Sequence, residues 1–296
     1  DGLTIRSSLG MQYNNYYYTD YNYKYLGDSE PQASDSFSEG SGYNFQWVFT
    51  NTAEYEKLFG VHKIKVLGGI EALNTGAGRF INGSGINPFS MDTDYVTLNN
   101  VDSPQVSSNL YSGVNFYSLF GKVDYNFDER YYVSGVVRRD GSSRFGANSR
   151  YGVFPAASAA WRVIAEPFMQ NQKVFSDLKV RGGWGQMGNS NNVDPNNQYS
   201  LYASSKNNTY YPIGGQSTGA DAGYAQSRIG NPDAKWETSE TLNIGFDASF
   251  FDNHLDLILD WWKKDTKDLL YTVQLPGVVG NWASSPAVNI ATMNNH

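Results

Sequence analysis

The sequence contains no cysteine, few charged residues and no long apolar run. Without cysteine there is no disulfide framework and no thiolate for a zinc or iron–sulfur site. The 22 basic side chains fall short of the 29 acidic ones, giving a formal charge of −7, the wrong sign for a nucleic-acid-binding surface. No stretch of about 18 uncharged apolar residues occurs, so the sequence holds no transmembrane helix. That leaves transmembrane barrels open, because they spread their hydrophobicity over alternate positions of each strand. What is abundant is aromatic and flexible: 22 Tyr, 16 Phe, 7 Trp and 30 Gly in 296 residues, with only 17% charged. This composition points to a β-rich chain. The chain opens at Asp1 without a basic and apolar leader and reads as a processed chain or a piece of a longer polypeptide.

Helical periodicity is nearly absent, whereas period-two alternation recurs. Leu242, Ile244, Phe246, Ala248 and Phe250 alternate with Asn243, Gly245, Asp247 and Ser249. After Phe251-Asp252-Asn253-His254, Leu255, Leu257, Leu259 and Trp261 continue the pattern, which predicts a hairpin with a tight turn. Two more hairpins are predicted, 119–127 with 131–139 and 43–55 with 61–73, and single strands near 4–17, 151–164 and 178–187. The total is about nine strands, with a further one at 269–275.

The connections fall at 18–42, 56–60, 74–116, 128–130, 140–150, 165–177, 188–235, 251–254 and 265 onward, long and short in alternation. An up-and-down barrel produces that parity, because successive turns lie on opposite sides of the membrane and one side carries long loops. Strands of about 9 to 14 residues exceed the usual soluble length and suit a tilted strand in a bilayer. Tyr and Trp at strand ends suit interfacial girdles. A soluble sheet with one wet face would show the same alternation but not the same loop parity. The segment 165–177 is middling in length and predicts a short helix with Pro167 in its first turn.

Motifs for chemistry are weak. Gly183-Trp184-Gly185-Gln186-Met187-Gly188 fits the dinucleotide pattern, but Asn189-Ser190-Asn191-Asn192 follows where a helix is required. Small residues there serve close strand packing instead. His62, His254 and His296 are scattered, no serine elbow occurs, and Asp92-Thr93-Asp94 lacks the glycine and glutamate that complete a calcium loop. Asp247, Asp256 and Asp260 sit on the polar phase of the last hairpin and read as a water-facing wall rather than a glycosidase pair. Lys263, Lys264, Asp265, Lys267 and Asp268 read as a solvated strand end. No enzyme and no cofactor is expected.

Four ordered stretches then carry a resemblance. They are Arg138-Arg139-Asp140-Gly141-Ser142-Ser143-Arg144-Phe145-Gly146; Tyr151-Gly152-Val153-Phe154-Pro155 with Ala160-Trp161-Arg162; Gly230-Asn231-Pro232-Asp233-Ala234-Lys235-Trp236-Glu237-Thr238; and Asp260-Trp261-Trp262 through Leu269-Leu270. Together they resemble the C-terminal barrel region of SusC/RagA-type TonB-dependent outer-membrane transporters of the Bacteroidetes, over about 117–280.

The resemblance implies an all-β, antiparallel up-and-down transmembrane barrel of roughly the 22-strand class, with about 9–10 strands here, long extracellular loops and short periplasmic turns. Residues 1–296 would be part of one barrel domain, with the plug and TonB box outside it. It implies import of oligosaccharides or peptides across the outer membrane of a Gram-negative cell. The partners would be a SusD-like surface lipoprotein acting as lid, TonB with its inner-membrane motor, and outer-membrane lipid. The competing reading is a non-transporting surface β protein, an adhesin or glycan-binding module. In the long loops Tyr210, Tyr211 and Trp282 are the candidates for substrate or lid contact, since aromatic faces stack on sugar rings and fill protein interfaces.

Overall fold

A computed structural model of the chain describes residues 2–27, 32–90, 92, 94–195, 197–204, 209–213, 215, 219–274, 276 and 283–296. The strands are β1 (Gly2–Asn22), β2 (Ser36–Phe59), β3 (His62–Ile86), β4 (Asp102–Tyr111), β5 (Asn115–Phe127), β6 (Tyr131–Ser142) and β7 (Tyr151–Arg162). They continue with β8 (Phe175–Asn189), β9 (Leu201–Ala203), β10 (Ala225–Arg228), β11 (Glu237–Phe250), β12 (Leu255–Thr272) and β13 (Ala287–Asn295). Helical structure among the described residues is limited to single 3-10 turns at Leu98–Asn100, Val163–Ala165 and Pro167–Met169. Pro167 opens the last of these, where its missing N–H costs nothing.

Contacts divide the chain into two compact units, and β1, β2 and β3 contribute a segment to each. The larger holds 1–7, 50–72 and 116–296. Its strand order is β1-β2-β3-β5-β6-β7-β8-β11-β12-β13, so strands neighbouring in sequence neighbour in space, as an up-and-down sheet requires. β9 and β10 stand apart and pair with each other inside the longest connection. The hairpin predicted over 242–261 forms in the register its alternation demands, Leu242 opposite Lys263 and Phe250 opposite Leu255. Its turn holds Phe251, Asp252 and Asn253 at φ of 51, 53 and 66°, a left-handed run that only a tight closure tolerates in non-glycine residues. The β5–β6 turn likewise places Asp128 and Glu129 at φ 52°.

The registers sort the larger unit into two faces. Val123, Gly135, Ala157, Trp184, Leu242 and Lys263 lie in one row, and Tyr125, Val133, Ala159, Gly182, Ile244 and Trp261 in the next. Between these rows, on the opposite face, run Asp124, Ser134, Ser158, Gly183, Asn243 and Trp262. The first face is apolar yet exposed, with Val123, Val133, Val137, Ile244, Leu259 and Trp261 all open. An exposed apolar wall on consecutive strands is the inverse of a soluble sheet and matches a lipid-facing one.

The smaller unit holds 8–49 and 73–115. β4 pairs with the upper part of β3, Gly78 opposite Tyr111 and Asn82 opposite Ser107. Phe37, Val96 and Val114 are its buried apolar residues, and Leu98 lies where a side chain on Gly83 would stand. Asn74 donates to Ser112 O and Asn115 Oδ1 and accepts from Gly76 N, fixing the bend where Gly76 takes φ 138°.

Three expectations change. β2 and β3 run for 24 and 25 residues, far past the alternating portions at 43–55 and 61–73. The connection expected at 74–116 therefore contains the end of β3 and all of β4. Residues 269–272 are not a separate strand: they continue β12 beyond a register shift between Thr266 and Leu269, where Asp268 takes φ 58°. That bulge and the mixed charge around it erase the alternation. The additional strand is β13, whose polar residues occupy both phases and give no periodic signal.

Candidate functional site

The polar face of the larger unit is laced with ion pairs at regular intervals. Lys63 meets Glu56 and Lys65 meets Glu54, each at 2.8 Å. Asp124 takes Lys122 at 2.9 Å and the Ser134 hydroxyl at 2.6 Å. Arg138 donates to Asp140 at 2.6 Å and Glu71 at 2.8 Å, with its guanidinium 5.3 Å from the Phe120 ring centre. Arg181 binds Asp260 at 2.7 Å and Asp247 at 3.1 Å. Asp256 accepts from Ser249 at 2.6 Å. The three aspartates of the last hairpin are thus tied to an arginine or a serine, and none is left as an acid–base pair. A cavity of about 660 Å³ opens on this face, lined among others by Lys65, Asp124, Tyr132, Ser158, Lys179 and Arg181. Such a surface offers charges and hydroxyls to a solute beside apolar patches such as Val133 and Ala159.

At the loop end the four ordered stretches converge. Phe145, Phe154, Val193, Ala234 and Trp236 form a buried cluster with Phe116 and Leu270 packed against it. Trp236 lies 5.0 Å from Phe145 and 5.5 Å edge-on from Phe154, ring centre to ring centre, and its Nε1 donates to Arg150 O at 3.3 Å. Glu237, also buried, accepts from Asn189 and Asn192 on one side and from Leu270 N at 2.7 Å on the other. The bulge at Asp268 is what brings Leu270 here. Arg144 donates to Val193 O, and burial pulls its guanidinium below the usual arginine value, against the opposing charge of Asp194. Asn197 holds Ala287 at N and O, and Asn231 Nδ2 reaches the same carbonyl at 2.9 Å. Both ends of the 190–236 connection are therefore clamped to the sheet.

At the short-turn end aromatics gather instead. His62 lies 4.9 Å from Phe127, Phe127 6.1 Å from Tyr131, and Tyr131 stacks on Trp161 at 6.4 Å with 7° between planes. The Tyr131 hydroxyl and Trp161 Nε1 both donate to Glu166 Oε1, at 2.5 and 3.0 Å. Those bonds hold the Glu166 carboxyl below the usual carboxylate range, with Arg130 assisting. Rings with apolar bodies and wet tips are the make-up of an interfacial girdle.

The structure brings together some sequence candidates and separates others. Tyr210 and Tyr211 are exposed on the 190–236 connection, where Tyr211 and Asp221 exchange backbone hydrogen bonds at 3.2 and 3.0 Å. Trp282 lies outside the described residues. Gly183 to Gly188 fall within β8 and no helix follows. A Cβ on Gly185 would stand 2.9 Å from that of Ala156, and the Phe154 ring occupies the space above Gly188. These glycines serve strand packing, as expected. His254 closes the β11–β12 turn. Asp92 accepts from Asp94 N at 3.1 Å as part of a turn. The strand predicted near 4–17 runs on to Asn22, and Tyr16 and Tyr18 on it cross onto β2 and β3. The run of tyrosines was visible, but the glycines that receive them become meaningful only once the register is known.

The whole chain, residues 1–296, matches the family model described as TonB dependent receptor-like, beta-barrel. It is 32% identical to TonB-dependent receptor P26 of Formosa agariphila over 84% of this chain and 24% of the relative. It is 28% identical to TonB-dependent receptor SusC of Bacteroides thetaiotaomicron over 86% of this chain and 24% of that protein. The solved structure of the RagAB peptide transporter superposes with a TM-score of 0.81 at 27% identity, covering 99% of this chain and 31% of the matched one. The chain thus spans about a quarter of the length of these curated relatives. On its sequence, its strand order and its two-faced wall, the chain belongs to the TonB-dependent receptor-like β-barrel family.

Proposed function

We propose that residues 1–296 are part of the single barrel domain of an outer-membrane active transporter that imports oligosaccharides or peptides. Energy comes through TonB, a SusD-like lipoprotein lids the loops, and the plug and TonB box lie outside this segment. The observation that carries the reading is the pairing of an exposed apolar face with an ion-paired polar face on the same strands, closed below by aromatic rings. An adhesin standing in water has no use for that apolar face. Likeness to TonB-dependent receptor SusC supports the partners, and likeness to the RagAB peptide transporter supports peptide as one cargo class. Tyr210, Tyr211 and Trp282 are assigned to substrate or lid contact from their places in the long loops.

The test uses the full-length protein in its own host. Labelled cargo should accumulate in cells, and accumulation should stop when an uncoupler dissipates the proton gradient or TonB is deleted, while surface binding persists. Binding without energy-dependent uptake of any oligosaccharide or peptide pool would leave the surface-protein reading standing instead.

A further inference from the structure

Within the smaller unit two tyrosines of β1 lie across the neighbouring strands. Tyr16 and Tyr18 of β1 extend sideways over β2, where Gly42 and Gly40 are buried beneath them. A Cβ on Gly40 would stand 2.7 Å from the Tyr18 ring, and one on Gly42 2.7 Å from the Tyr16 hydroxyl. Only glycine lets the rings lie down on the strand. They reach β3 on the far side: Tyr16 stacks on Phe80 at 6.2 Å and 27°, and the Tyr18 hydroxyl donates to Asn82 Oδ1 at 2.8 Å. Each ring has one side against the sheet and the other open, leaving Tyr16 45% and Tyr18 38% exposed. Two residues apart on one strand, they are spaced about 6.8 Å along it.

The surroundings of the rings are chemically uniform. Following β1 away from Tyr16 on the same face come Asn14 and Gln12, which bond each other at 3.3 Å. On β2 Asn44 and Gln46 do the same at 3.2 Å. On β4, Asn109 stands opposite Phe80 and Ser107 opposite Asn82. A depression of about 400 Å³ adjoins this row, where Gln12, Gln46 and Asn74 meet the apolar Met11, Trp47 and Leu73. Charge enters only at the margin, with Asp20, which accepts from Asn22 at 2.9 Å.

From this geometry we infer a binding face for a neutral oligosaccharide. It deepens the transport reading and rests on it for the cargo's onward route. A pyranose has an apolar face of C–H groups that covers an open aromatic ring, and equatorial hydroxyls that both donate and accept. Primary amides and hydroxyls match them, since each also donates and accepts, whereas a lysine or carboxylate would select a charged ligand. A peptide of ordinary composition brings charged ends and side chains that this face leaves unpaired. A uronic or sulfated glycan would need cations, and among the described residues none lines the rings or the amide rows. Rings already held by Gly40, Gly42, Phe80 and Asn82 lose little freedom on binding.

The experiment uses the full-length protein in detergent on an array carrying neutral, uronic and sulfated glycans together with a tryptic peptide pool. The expected result is retention on neutral glycans. Isothermal titration with the best of them should then show about tenfold weaker binding for Tyr16→Ala and for Tyr18→Ala. Tyr18→Phe, which keeps the ring, should stay within about threefold of the parent. Gly42→Val, which lifts the Tyr16 ring while keeping every aromatic, should weaken binding like Tyr16→Ala. Heat-modifiable migration of each variant checks the fold. Retention only of peptides or acidic glycans, no retention at all, or unchanged affinity of folded Tyr16→Ala and Tyr18→Ala would overturn the inference. Uptake is measured separately: glycan import indifferent to both tyrosines removes this face and leaves transport. Tyrosine-dependent binding with no energised import does the reverse.

Discussion

Arg181 and Asp260, on strands separated by β11, form a two-pronged ion pair of 2.7 and 2.8 Å directly above Gly245. A Cβ at Gly245 would lie 2.5 Å from Asp260 Oδ1 and 3.1 Å from the Arg181 guanidinium carbon. The pair exists because the middle strand carries no side chain there. Gly245→Val should therefore separate Arg181 from Asp260 and lower the full-length protein's resistance to heat in detergent. Arg181→Ala, which leaves Asp247 and Asp260 facing each other, should lower the same heat resistance. Asp260→Asn added to Arg181→Ala should return part of the loss, measured as a double-mutant cycle.

The assignment of faces makes adjacent positions behave in opposite ways. Val123→Arg on the apolar face should destabilise by about 2–4 kcal/mol in lipid. Ser158→Arg, which enters the cavity on the polar face, should change stability by no more than about 0.5 kcal/mol. Urea titration of the full-length protein refolded into vesicles reads both. Equal effects would contradict the two-faced wall.

The loop hub should behave as a core. Trp236→Ala removes the ring shared by Phe145 and Phe154 and should cost about 3–5 kcal/mol. Gly188→Val pushes Phe154 out of the same cluster and should cost about 1–3 kcal/mol. Protease nicking within 190–236 should rise in both, since the clamps of that connection rest on the hub.

Acid should loosen the β7–β8 turn. The Glu166 carboxyl is held below its unfolded value of about 4.3 by Tyr131 and Trp161. A depressed carboxyl contributes stability that is complete above the unfolded value and is lost as pH falls through the lower, folded one. Glu166→Gln should flatten the acid limb of a melting-temperature profile below about pH 4 and leave it unchanged at pH 7. Persistence of the full acid limb in that variant would assign it to other carboxylates.

The wall was legible because lipid demands strict alternation. The 242–261 hairpin could be read down to its turn at 251–254, whereas the loop parity failed at 74–116, where β4 intervenes. Legibility ended where that demand ends. In the smaller unit β2 keeps aromatics on one phase and small or amide residues on the other, β3 mixes Phe80 and Ile81 with Asn and Gly on both, β4 (Asp102–Tyr111) shows no period, and β13 mixes Asn and apolar residues on each side. The hub was half visible: Phe145, Phe154, Trp236 and Leu270 stood in the recognised stretches, but their meeting depends on a bulge at Asp268 that has no sequence signal of its own. The tyrosine face was hidden for a related reason. Tyr16, Tyr18, Gly40 and Gly42 are ordinary residues until strand register lays them over one another.

Side chains that reach past a glycine to the next strand but one have a mechanical consequence. Hydrogen bonds in a sheet join nearest neighbours and permit a strand to slide by two residues with its faces preserved. Arg181 to Asp260 over Gly245, and Tyr18 to Asn82 over Gly40, tie alternate strands together like diagonal struts. A two-residue slip of β11 would bring Asn243 or Asp247, each with a Cβ, beneath the Arg181–Asp260 strut, so Gly245 acts as a locking notch that holds that strand against shear.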